Sequence, residues 1–178
     1  MQLTGKQLGI FAAGGSAALL LGAFFFQMLG YAPCAMCIWQ RYPHGVAIVA
    51  GLLIALGLPV ILMLVVGALS ALTTAAIGVF HTGVERDWWE GPTSCTGSAD
   101  ALSGLSGTAL LPSATDGPVN LVMCDDVVWE FLSLSMASWN ATFSGILAVV
   151  WILAIQQVMR ETGTPEKQVM PATKARQT

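Results

Sequence analysis

The apolar residues of this chain gather into three long blocks without a charge: 8–31, 46–80 with His44 just before it, and 131–159, closed by Arg160. A helix that crosses a bilayer needs about 20 apolar residues at roughly 1.5 Å per residue. The first and third blocks therefore predict one helix each, 8–29 and 139–158. The middle block is too long for one crossing and is broken by Gly57-Leu58-Pro59. Proline disfavours helix at the residue before it, so the pattern predicts two antiparallel helices, 37–57 and 60–80, joined by a very tight turn. The expected fold is all-α, a four-transmembrane-helix bundle forming a single domain over 1–160. A long loop covers 81–138 and a disordered polar tail covers 161–178.

Composition strengthens the membrane reading. Charged residues are 10% and hydrophobic residues 55% of the chain, against about 25% charged in ordinary soluble domains. Seven Lys+Arg against ten Asp+Glu leave no basic surface to neutralise phosphates, which argues against nucleic-acid binding. A cleaved signal peptide is the competing reading of the N-terminus, with Lys6 before an apolar 10–29. That apolar run is too long, and Gly30-Tyr31-Ala32-Pro33 is a poor small-residue cleavage site.

Charge also predicts orientation. Lys6, Arg160, Lys167, Lys174 and Arg176 flank the expected bundle at the termini, while Arg41 and Arg86 fall on the other side. Eight of the ten acids, from Glu85 to Glu130, lie in the 81–138 loop. The positive-inside rule then puts both termini in the cytoplasm and both Cys-bearing loops outside. In a bacterium this means a multi-pass inner-membrane protein whose loops face the periplasm, where disulfides persist. Within the long loop, Trp88 and Trp89 sit among charges, as expected at a membrane interface. From 96 to 120 the loop is mostly Gly, Ser, Thr, Ala and Pro, which reads as a mobile segment. No GxGxxG, P-loop, HExxH or GxSxG motif occurs.

The candidate chemistry is in four cysteines, all on the expected outer side. Cys34-Ala35-Met36-Cys37 is a C-x-x-C at the mouth of the second helix, and Cys95 and Cys124 bracket the mobile loop. Two structural disulfides are one reading. A zinc site is another, although Cys95 and Cys124 do not supply the second close pair usual in Cys₄ sites. The third is a thiol–disulfide relay, because a C-x-x-C at a helix N-terminus has its thiolate stabilised by the dipole and free N–H groups. Arg41, four residues after Cys37, projects from the same helical face. It is either an arginine snorkelling to headgroups or a charge partner for a thiolate or a reduced, anionic cofactor.

Four spans, Cys34-x-x-Cys37-x-x-x-Arg41 in a short first external loop, and Cys95 and Cys124 in a long second one resemble the DsbB family. These are the quinone-dependent enzymes that reoxidise the periplasmic dithiol oxidase DsbA. The similarity covers roughly 8–158 and extends to His81 after the third span and to Trp129-Glu130-Phe131-Leu132. Order and topology together, not any single motif, carry it. Family members often have an acid before the arginine, where this chain has Gln40.

The resemblance implies an oxidoreductase with catalytic Cys34, Cys37, Cys95 and Cys124 and with ubiquinone or menaquinone as cofactor. A DsbA-like thiolate attacks Cys95 of a Cys95–Cys124 disulfide. Cys124 then attacks Cys34 of a Cys34–Cys37 disulfide, and Cys37, steadied by Arg41, passes electrons to the quinone. His81 is either an interfacial histidine or part of the quinone pocket. Two alternatives remain. One is a relative of the vitamin K epoxide reductases, in which the C-x-x-C follows the loop cysteines instead of preceding them. The other is a thiol-based metal carrier, as in mercuric-ion transport, which soft thiolates would suit.

Overall fold

The computed structural model describes residues 3–92 and 123–162. Within them the chain forms α1 (Gly5–Met28), α2 (Ala35–Ala55), α3 (Val60–Glu85), a hairpin of β1 (Glu130–Phe131) and β2 (Leu134–Ser135), and α4 (Met136–Thr162). The mobile segment expected over 96–120 and the disordered tail expected beyond Thr162 lie outside the described residues.

Local chemistry sets each boundary. Thr4 Oγ1 accepts from the Gln7 amide, and Gln7 Oε1 accepts from the Thr4 amide. This reciprocal cap starts α1 three residues before the apolar run expected from position 8. The ends of α1 and α2 share one device. Gly30 and Gly57 take positive φ, +100° and +90°, which lets Tyr31 and Leu58 donate back to Phe26 and Leu53. Pro59 then opens α3. That helix runs to Glu85, past its expected end at 80, so His81 and Glu85 are helical instead of lying in the loop. Ser135 Oγ accepts from the Ser138 amide at 3.2 Å and starts α4 at Met136, ahead of the expected 139. The helix continues to Thr162, so residues 161 and 162 belong to it and not to the tail.

The hairpin was not expected. It pairs Glu130 with Ser135 and Phe131 with Leu134, and both turn residues, Leu132 and Ser133, have positive φ. That is the two-residue turn usually written Asn-Gly, so its Leu-Ser sequence carried no signal.

Helices α1, α3 and α4, of 24, 26 and 27 residues, are long and apolar enough to cross a membrane. Helix α2 is more polar, carrying Gln40, Arg41, Pro43 and His44 in its first half. Large apolar side chains such as Phe11, Leu21, Leu52, Leu62 and Ile146 face outward, as they would toward lipid. The interior is made of small residues, Ala12, Ala13, Ala47, Ala50, Ala68, Ala71, Ala148 and Ala154, around Ile54, Leu64 and a fully buried Trp151. With lipid as solvent, close approach of helix backbones supplies the packing energy. This is a multi-pass membrane protein. α1 packs on α2 and α4, and α3 packs on α2 and α4, which leaves α1 and α3 on a diagonal.

The close approach of Gly67 to the buried indole gives a test. A Cβ on Gly67 would meet three Trp151 indole atoms at 2.6 Å, whereas one on Gly22 meets nothing within 4 Å. Gly67→Ala is expected to destabilise the bundle by about 1–3 kcal/mol and Gly22→Ala to leave it unchanged or slightly firmer. Thermal unfolding in detergent, followed by helical circular dichroism, compares the two; equal midpoints would show that Trp151 yields at no cost.

Candidate active site

The site is built on the start of α2. Cys34 is its N-cap, with extended backbone (φ −74°, ψ 172°), and its Sγ accepts from the Cys37 amide at 3.2 Å. A sulfur thus fills the role of a capping oxygen and satisfies one of the free N–H groups at the helix end. The same cap brings Cys37 into the first turn, its Sγ 2.8 Å from that of Cys34, with both thiols unbonded. Donation to Cys37, followed by burial, pushes the Cys34 thiol up to about 12. In the reduced pair, then, Cys34 keeps the proton and Cys37 receives its hydrogen bond.

Cys124 comes to the same place. It is fully buried and packs in one cluster with Cys34, Met36 and Val84, with Cys37 at the edge. Three of the four cysteines therefore meet at one end of the bundle. Cys95 lies outside the described residues.

His81 reaches the sulfurs from α3. It is buried, with Nε2 3.6 Å from Cys34 Sγ and 3.8 Å from Glu85 Oε1, and Nδ1 3.0 Å from Gln40 Nε2. Glu85 in turn accepts a short hydrogen bond from the Ser135 hydroxyl. Cys34, Cys37 and His81 offer three ligand atoms within 4.8 Å of one another, compact enough for a cation.

Arg41 turns toward α1. Its Nη1 donates to Gln27 Oε1 at 2.7 Å, and the guanidinium carbon stands 5.0 Å from the centre of the Phe24 ring. The expected position was beside Cys37; the hydrogen bond goes instead to the neighbouring helix. Both residues nevertheless border one cavity of about 440 Å³, with Cys34, His81 and the rings of Phe26, Trp129, Trp139 and Phe143 on its wall. Phe26, Trp129, Phe131, Trp139 and Phe143 form a continuous series of ring contacts from α1 through the hairpin to α4.

Reading the residues alone missed several members of this site. Glu85 is four residues after His81, a spacing that places two side chains on one helical face, and that signal was available. Asn140 and Ser135 carry none: each matters only through partners about a hundred or fifty positions away, Gln40 and Glu85.

The sequence model of the DsbB family, described as Disulfide bond formation protein DsbB, matches residues 5–154. Among curated relatives, the Disulfide bond formation protein B of Acidovorax sp. (strain JS42) is 30% identical over 165 residues, covering 89% of this chain and 90% of that protein. Those of Azoarcus sp. (strain BH72) and Shewanella frigidimarina (strain NCIMB 400) are 30% and 29% identical, covering 78% and 80% of this chain and 85% of each relative. No solved structure matches the chain. A helical membrane protein with Cys34, Cys37 and Cys124 gathered at one end, matched to this family over most of its length, belongs to the DsbB family of disulfide bond formation proteins.

Proposed function

We propose that this chain is a bacterial inner-membrane thiol–disulfide oxidoreductase that reoxidises a periplasmic DsbA-like dithiol oxidase and delivers the two electrons to a membrane quinone, ubiquinone or menaquinone. The observation that carries the reading is the meeting of Cys34, Cys37 and Cys124 at the edge of an apolar, aromatic-walled cavity. In this reading α2 is the fourth span of a domain over 1–160, both termini are cytoplasmic, and the cysteine end faces the periplasm.

The chemistry follows from the positions of the thiols. The partner's thiolate attacks Cys95 of a Cys95–Cys124 disulfide, forming a mixed disulfide and releasing Cys124 as thiolate. Burial of Cys124 against Cys34 supports its attack on Cys34 of an oxidised Cys34–Cys37 pair. The leaving thiolate is then Cys37, in the first turn of α2, where the helix dipole and free amides stabilise negative charge. The partner's second thiol displaces Cys95, and the partner leaves as a disulfide. Cys95 attacks Cys124 to restore the Cys95–Cys124 disulfide and release Cys34, and the Cys34, Cys37 dithiol closes to its disulfide as it gives up two electrons and two protons. The cavity fits a flat, apolar redox ring: its volume is in the usual range for ligand pockets, its walls are aromatic, and the Arg41 guanidinium and Cys37 border it. A quinone bound there would supply a two-electron, two-proton acceptor, the hard redox step that a protein leaves to a cofactor. The protein's part is to hold Cys37 at the cavity, keep water out with the aromatic wall and present the cation.

The compact Cys34, Cys37 and His81 group favours one second reading, a carrier for a soft cation. The two separate by experiment. Detergent-purified protein given reduced DsbA and ubiquinone-1 should reduce the quinone continuously, whereas a carrier would bind the ion and leave the quinone oxidised. Cys34→Ser and Cys37→Ser should each abolish turnover while retaining the wild-type helical spectrum, since spanning helices satisfy their own backbone groups.

Removing the resolving thiol gives a second test. Cys124→Ser should trap a mixed disulfide between Cys95 and the DsbA-like partner, visible on a non-reducing gel. An adduct recovered on Cys124 in a Cys95→Ser variant, with none on Cys95, would reverse the assignment.

Arg41 gives a third. A charge-assisted contact is worth about 1.5–3 kcal/mol, roughly tenfold to a hundredfold in rate. Arg41→Ala should raise the quinone KM or lower kcat by that factor, and Arg41→Lys should retain part of the effect because charge survives without the planar fork. Steady-state kinetics identical to wild type would leave Arg41 only its contacts with Gln27 and Phe24.

A further inference from the structure

Behind the cysteines the bundle buries a string of polar side chains that the thiol relay does not use. Gln40, His44, Thr74 and Ser144 are all at least nine-tenths buried, and with Asn140 they connect α2, α3 and α4. Their hydrogen bonds form one ordered sequence because it begins at a group that can only accept. Gln40 Nε2 donates to the Met36 carbonyl at 3.3 Å, which identifies that atom as the amide nitrogen. Gln40 Oε1 then faces Asn140 Nδ2 at 2.6 Å, a donor, as the arrangement requires. Asn140 Nδ2 also reaches Thr74 Oγ1 at 3.2 Å, and the Thr74 hydroxyl spends its proton on the Gln40 carbonyl at 3.0 Å. Asn140 Oδ1 is left to accept from His44 Nε2 at 2.9 Å. Every donor meets an acceptor, so neither amide can flip without opposing like groups.

The same sequence reaches His81. The atom 3.0 Å from His81 Nδ1 is Gln40 Nε2, a nitrogen with hydrogens and no lone pair to offer. Nδ1 must therefore accept, and the proton of the neutral ring sits on Nε2. That atom faces Cys34 Sγ at 3.6 Å and the Glu85 carboxylate at 3.8 Å, both able to accept. The other charged or titratable neighbour is Cys37 beside Cys34; from the 123–135 segment the backbone of Cys124 also hydrogen-bonds the ring.

We infer that Gln40, oriented by Asn140, is a positioning residue that holds His81 in its Nε2–H form, so that the ring donates to Cys34 and cannot take the Cys34 proton. A histidine beside a cysteine is ordinarily a base, as in sites where the pair forms thiolate and imidazolium. Here Gln40 denies it that role. Cys34 stays a thiol while Cys37, at the helix end, is the member of the pair free to act as thiolate. The same tautomer removes the lone pair that a cation at Cys34, Cys37 and His81 would need from Nε2. The consequence for turnover rests on the relay proposed above; the tautomer does not.

The chain has two histidines, so nitrogen-15 spectroscopy of histidine-labelled protein in lipid is simple to assign, with His81→Gln identifying the His44 signals. At a pH high enough that the histidine signals no longer shift with pH, so that both rings are neutral, wild-type His81 should show unprotonated Nδ1 and protonated Nε2. Asn140→Leu, which frees the Gln40 amide, should give a mixture of tautomers. Gln40→Glu puts an acceptor at Nδ1 and should protonate that nitrogen, releasing Nε2 as a base. In a Cys95→Ala, Cys124→Ala background, iodoacetamide should then alkylate Cys34 at least about tenfold faster than with Gln40, a rate change equal to roughly 1.4 kcal/mol. Protonated Nδ1 in the wild-type spectrum overturns the inference, and that spectrum decides even if Gln40→Glu fails to fold. An unchanged Cys34 alkylation rate in a Gln40→Glu protein with protonated Nδ1 would overturn the claim that the tautomer controls the thiol. Absence of quinone reduction by a protein with the Nε2–H ring would count against the proposed function alone.

Discussion

A polar side chain inside an apolar bundle must find its partners within the protein, because hydrocarbon offers none. In this chain that constraint organises the cysteine-bearing half of the molecule. Gln40 on α2, Thr74 on α3 and Asn140 on α4 satisfy one another. They can do so in only one relative placement of the three helices. The network therefore works as a register pin: sliding α4 by a turn would take the Asn140 amide away from the buried Gln40 Oε1 and Thr74 Oγ1, at about 1–3 kcal/mol for each lost partner. Because Gln40 is one turn and a half from the start of α2, the pin also fixes where the Cys34 cap stands relative to His81 on α3. The geometry of the sulfurs is thus a consequence of polar groups buried deeper than they are.

The cap itself couples folding to chemistry. Cys34 cannot both cap α2 and leave it, since its sulfur holds the Cys37 amide. In the proposed relay, a thiol exchange at Cys34 would take place on a sulfur held by backbone, with its partner one turn along the helix, and not on two cysteines of a loose loop. The hairpin serves the opposite wall. Its turn residues are held at positive φ without glycine, and the chain after it is tied by Ser135 to Glu85 and by Trp139 to the Phe131 carbonyl. These ties carry Trp129 and Phe131 against Phe26 and Trp139, closing the aromatic side of the cavity.

What could be read from the residues, and what could not, divides along the range of the interactions. Long uncharged blocks and the Gly57-Leu58-Pro59 break express local physics, the length of a helix and the conformation that proline permits, and the helices follow them closely. The differences at their ends come from side-chain caps: Thr4 with Gln7, Cys34 with Cys37, and Ser135 with Ser138. Such caps are local too, but they depend on a single rotamer instead of a pattern. The cysteines, Arg41 and His81 stood out because each is an unusual residue type for its surroundings. Asn140 did not, although the tautomer of His81 depends on it, because its role exists only through Gln40 on another helix. Arg41 shows what spacing alone does not give: it shares a cavity with Cys37, while Gln27 and the Phe24 ring on α1 hold its guanidinium.

The two halves of the bundle obey different rules, and the division explains how a membrane enzyme can keep a polar site without losing its packing. The half away from the cysteines is alanine and glycine around Trp151, whose Nε1 has no hydrogen-bond partner among the described residues. There, shape outweighs polar satisfaction: the indole fills the space left by Gly67, and dispersion over a large buried ring offsets one unmade bond. The cysteine-bearing half reverses the priority, with nearly every buried donor and acceptor around Gln40 and Asn140 matched and His44 Nδ1 left over. Volume changes should therefore act through stability in the half around Trp151. Changes of hydrogen-bonding type, even between residues as similar in shape as glutamine and glutamate, act in the cysteine-bearing half on the proton at a sulfur.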